Sequence, residues 1–117
     1  MKTDELLNLD CSKSCENWRE NLQILRKALM QIPGVSGSNK PKVDMQSVED
    51  TLHRFCAEND VRFYSILPIY ENGKFDRYTV GFSVAGVQKT IIAHTLYVLM
   101  AKSLIYVYSV VRKGGKS

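Results

Sequence analysis

At 117 residues the chain has room for one hydrophobic core and not for two independent ones. Charged residues make up 24% and apolar residues 44%, a balance that excludes a globally disordered chain and a multi-span membrane protein. The net charge of +4 is a mild excess, with Lys40, Lys42, Arg112, Lys113 and Lys116 clustered outside the expected body, so composition alone does not demand a polyanionic partner.

The first residues, MKTDELLNLD, lack the apolar run of a secretory signal and carry acids early. They suit a short helical turn with Thr3 as cap and Asp4 and Glu5 near its positive end. Three cysteines are an odd number and too sparse for a disulfide scaffold, which points to a reducing, cytoplasmic setting.

From Ser12 to Ile32 the apolar residues Cys15, Trp18, Leu22, Leu25, Leu29 and Ile32 step by three and four, the spacing of one helical face. Ile24, Ala28 and Met30 widen that face beyond what one small sheet covers, so Trp18, Leu22, Leu25 and Leu29 are expected to form a seam for a partner. Pro33 and Gly34 end the helix, and residues 33–42, rich in Gly, Ser, Asn, Pro and Lys, are expected to form a flexible linker. A second amphipathic helix follows over Asp44–Asn59, with Met45, Val48, Leu52, Phe55 and Cys56 on one face. Asp44, or a capping box from Ser47 to Asp50, would start it.

The period then changes to two. Two β-rich runs flank Asn72-Gly73, the dipeptide that supplies the positive φ angles of a tight hairpin. In the second run Tyr78, Val80, Phe82 and Val84 alternate with Arg77, Thr79, Gly81 and Ser83, which gives one buried and one open face. Pro68 places the first run at a sheet edge.

The most apolar stretch, residues 90–111, meets the length rule for a membrane span but would carry Lys102 and His94 into hydrocarbon. Its first half has helical spacing at Ile92, Leu96, Leu99 and Ser103, and its second half, LIYVYSVV, is dense in β-branched and aromatic residues. The reading adopted is a helix that covers the hairpin, followed by a C-terminal strand whose Ile105 and Val107 join the partner surface. Residues 112–117 are expected to form a disordered basic tail. The expected fold is a single α+β domain over 1–117: two N-terminal amphipathic helices, a β-hairpin, a covering helix and a C-terminal strand, in the order ααββαβ.

Chemistry-bearing patterns are sparse. Cys11, Cys15, His53 and Cys56 are four soft ligands, but the gap between the pairs matches no standard zinc finger and two of the thiols lie on apolar faces, so no metal is assigned. With His53 and His94 the only histidines and no acid paired with either, no catalytic residue is assigned, and no cofactor is expected. Neither glycine-rich segment has the spacing or strand-to-helix context of a phosphate loop. The first functional reading is a non-enzymatic protein-interaction module, a dimer or a subunit of a larger assembly. The alternative is a small nucleic-acid-binding regulator that uses the basic and aromatic hairpin through Arg62, Lys74 and Arg77, with Lys40 and Lys42 of the linker and the basic tail. A third is a membrane-tethered protein anchored by residues 90–111.

Overall fold

The computed structural model describes residues 2–33, 35 and 44–114. They form four helices, α1 (Thr3–Leu7), α2 (Trp18–Met30), α3 (Met45–Glu58) and α4 (Leu96–Gly114), and four strands, β1 (Arg62–Phe63), β2 (Leu67–Glu71), β3 (Lys74–Val84) and β4 (Val87–Ala93). The class is α+β, as expected, but the order is αααββββα.

Local chemistry sets most of the boundaries. Asp44 caps α3, its carboxylate accepting the Ser47 amide at 2.8 Å. At the other end Asp60 adopts φ 53° and the Val61 amide donates to the Cys56 carbonyl at 3.0 Å, a left-handed termination of the Schellman kind. Helix α2 starts at Trp18 and not at Ser12, because Asp10 accepts both the Ser12 amide (2.9 Å) and its hydroxyl (2.6 Å), and such a local turn competes with helix. Thr3 lies inside α1, and the capping position falls to Lys2.

The sheet is antiparallel throughout. Strand β3 is central, with β1 and β2 successively on one side and β4 on the other. Asn72-Gly73 makes the expected turn with φ of 53° and 76°, and Pro68 stands on the outer strand β2, opposite Tyr78. A second tight turn at Ala85-Gly86, φ 50° and 83°, sends the chain back as β4. Sequence reading missed it, because alanine carries none of the preference for positive φ that asparagine has.

The apolar stretch 90–111 therefore divides in the reverse of the expected order. Residues 90–93 are strand, and LIYVYSVV continues α4 and forms no C-terminal strand. The β preference of Ile105, Val107 and their neighbours spans about 1 kcal/mol and yields to burial. Every residue from Val98 to Ile105 is buried, as is Val107, since α4 packs on β3 and β4 and also contacts α1, α2 and α3. A helix enclosed on all sides loses the apolar stripe that would have identified it. No helix among the described residues is long and apolar enough to cross a membrane. Arg112, Lys113 and Gly114 of the expected tail 112–117 continue this helix, and residues 115–117 lie outside the described residues.

Leu25 and Leu29 of α2 are fully buried against this core. Of the expected linker 33–42, Val35 is buried with its amide donating to the Ile32 carbonyl at 3.3 Å, and residues 34 and 36–42 lie outside the described residues.

Ala85 holds a left-handed conformation that disfavours an ordinary side chain by about 1 kcal/mol or more. Ala85→Asn should raise the urea midpoint at unchanged m-value, by about 0.5–1 kcal/mol in stability.

Candidate functional site

All four helices leave one face of the sheet uncovered. Val80, Phe82, Ile91 and Ala93 point into the core, so the alternate residues of β3 and β4 point outward. Register arranges the outward side chains in rows. Leu67, Thr79 and Ile92 lie side by side on β2, β3 and β4, and Gly81 and Thr90 form the next row. Tyr64 completes that second row: its amide donates to the Gly81 carbonyl at 2.9 Å and its ring lies over Gly81, where an added Cβ would stand 3.3 Å from Tyr64 Cδ2. Arg62, Ser83 and Gln88 make the third. The rim is apolar and exposed, Tyr64 by 45%, Leu67 by 59% and Ile92 by 46%. Thr79, Ser83 and Thr90 are small, so beside the Tyr64 ring the face is a shallow trough.

Its charge is lower than the basic residues suggest. Arg77 stands beside the Glu71 carboxylate at 3.8 Å and is hydrogen-bonded to Asp76, so two acids offset one guanidinium. Arg62 and Lys74 are exposed and separated, one at each end of the sheet. Lys40 and Lys42 lie outside the described residues.

The expected helical seam is divided. Leu25, Leu29, Ile105 and Val107 are buried in the chain's own core and do not present a partner-facing surface. Trp18 and Leu22 are half-buried and line a cleft of about 390 Å³ with Phe75, His94 and Tyr97. The potential metal ligands do not converge. Cys56 is buried, and His53 is exposed, 3.8 Å from Glu49 and tilted against Phe63 at 5.6 Å. Among the described residues, no group of three or more His, Cys, Asp or Glu side chains is placed to hold a metal.

A second cavity, about 220 Å³, lies where residues 7–12 meet the β4–α4 junction, and it is bordered by Asp10, Cys11, His94, Thr95 and Lys102. In the sequence Lys102 stands out only as an obstacle to membrane insertion. It is 5% exposed, and its ammonium donates to the Leu9 carbonyl at 2.7 Å, a bond that ties the α1–α2 connection to α4. Burial lowers its pKa, opposed by Cys11 and Asp10. Asp10 is held below the usual carboxylate range chiefly by its hydrogen bonds to Ser12. Burial pushes the Cys11 thiol up, which makes it a poor nucleophile. The arrangement is that of a structural tether.

Two buried groups should give opposite pH dependences. The unfolded chain holds the Lys102 proton up to about pH 10.5 and the folded chain releases it earlier, so wild-type stability should rise relative to Lys102→Met as pH climbs toward 10.5. Burial raises the Cys56 thiol from 9.0 to about 11, so its contribution is complete below pH 9 and is lost as pH rises toward 11. Cys56→Ala should flatten that loss in urea titrations at pH 8 and 10. Comparison with family models, with curated proteins and with solved structures gives no match, so the residues themselves carry the functional argument.

Proposed function

We propose that the chain is a non-enzymatic protein-interaction module that presents the open face of its sheet to a protein partner. The observation that carries this reading is the trough rimmed by Tyr64, Leu67 and Ile92, apolar groups left in water on a face that no helix of the described chain covers. Aromatic and aliphatic anchors with an arginine at the margin make the chemistry of a protein interface, where a few desolvated side chains carry most of the affinity. A polyanion would need several unpaired cations in line, and Arg77 is engaged by Glu71 and Asp76. The surface differs from the helical seam read from sequence, but the class of function is the same.

A photoreactive aromatic residue in place of Leu67 should give a discrete, nuclease-resistant protein adduct on irradiation of intact cells, and the same group at exposed Glu58 should not. Leu67→Glu should abolish partner capture and change stability by less than about 0.5 kcal/mol, as expected for an exposed position. A nuclease-sensitive adduct would transfer the reading to nucleic acid, and equal labelling from both positions would end it.

A further inference from the structure

The two sheet edges are built differently. The β1/β2 edge is interrupted between Phe63 and Leu67, carries Pro68 and has an irregular register between Ile69 and Tyr70, all devices that discourage another strand from adding there. Strand β4 has none of them. It runs unbroken for seven residues, VQKTIIA, without proline or bulge and with Lys89 as its single charge. Its ladder to β3 is regular over all seven positions, and no backbone hydrogen bond joins its outer side to any described residue. A row of outward amides and carbonyls of this kind is a ready template for an added extended chain.

The geometry points to a second copy of the same chain as that strand, with β4 paired antiparallel to β4 about a two-fold axis at Thr90. Thr90 is the midpoint of Val87–Ala93, so this register alone pairs all seven residues of both copies. It sets Thr90 against Thr90, Gln88 against Ile92, Lys89 against Ile91 and Val87 against Ala93. No like charges stand directly opposite one another, and threonine facing threonine is a favourable cross-strand pair. A register centred on Lys89 would set two ammonium groups face to face. The pairing is isologous and closes on itself, so it ends at a dimer and does not propagate. Both open faces lie on the same side of the joined sheet, which doubles the trough.

This pairing uses the edge and not the trough, so it stands or fails separately from the reading above. Light scattering on the full chain from about 1 to about 200 µM should show a dimer whose dissociation follows mass action. Thr90 is exposed on the open face, so Thr90→Lys and Thr90→Glu should each fold with the wild-type circular dichroism spectrum and remain monomeric, and an equimolar mixture of the two should recover the dimer. Leu67→Glu should stay dimeric. A wild-type monomer at the highest concentration, or a dimer that both Thr90 variants leave intact, would overturn the pairing. Variants that are monomeric alone and in mixture would overturn the register centred on Thr90.

Discussion

Enclosure of α4 is the constraint from which the rest of the molecule follows. One helix contacts the sheet and all three other helices, so most of its side chains leave water together and the core is contiguous through it. Its two buried polar side chains are satisfied internally. The Ser103 hydroxyl donates to the Leu99 carbonyl at 2.7 Å and Lys102 donates to Leu9. Thr95 caps the helix, its hydroxyl accepting the Val98 amide at 3.3 Å, directly after β4 ends.

Gathering the helices on the α4 side decides the fate of the sheet. One face becomes core, through Val80, Phe82 and Ile91, and the other has only solvent or a partner to meet. On that second face β3 supplies the small residues Thr79, Gly81 and Ser83, with the Tyr64 ring lying over Gly81 and Leu67 and Ile92 on either side of Thr79. The same strand thus carries core residues and open-face residues in alternation. Aromatic contacts continue the packing past the helices at the hairpin end, where Phe75 lies 4.7 Å from Tyr78 and 6.1 Å from Tyr70.

Legibility in the sequence tracked how many sides of an element are buried. Helix α3, covered on one side, shows its buried set at Val48, Thr51, Leu52 and Cys56, and its Asp44 cap could be named in advance. The Asn72-Gly73 turn was equally plain, because those two residue types are what its backbone requires. Ala85-Gly86 places the same geometry on a residue that resists it, and once that turn was missed β4 merged with the helix after it. Ile105 and Val107 misled for a related reason: their branched side chains suit a strand, and only the surrounding helices, invisible to a local pattern, make a helix the better burial. The alternation of β3 foretold an open face. The apolar stripe of α2 looked like surplus because its cover, α4, lies far along the chain.

The position of α4 in the chain has a consequence for biosynthesis. A ribosome extends the polypeptide in one direction, and the segment that every other helix leans on emerges after all of them. Until then Leu25, Leu29, Val48 and Leu52 have no lasting shelter, and the core face of the sheet lacks its cover. Contacts spanning as many residues as Lys102 to Leu9 close late and slowly, so the newborn chain passes through an interval in which holding chaperones have their best claim on it.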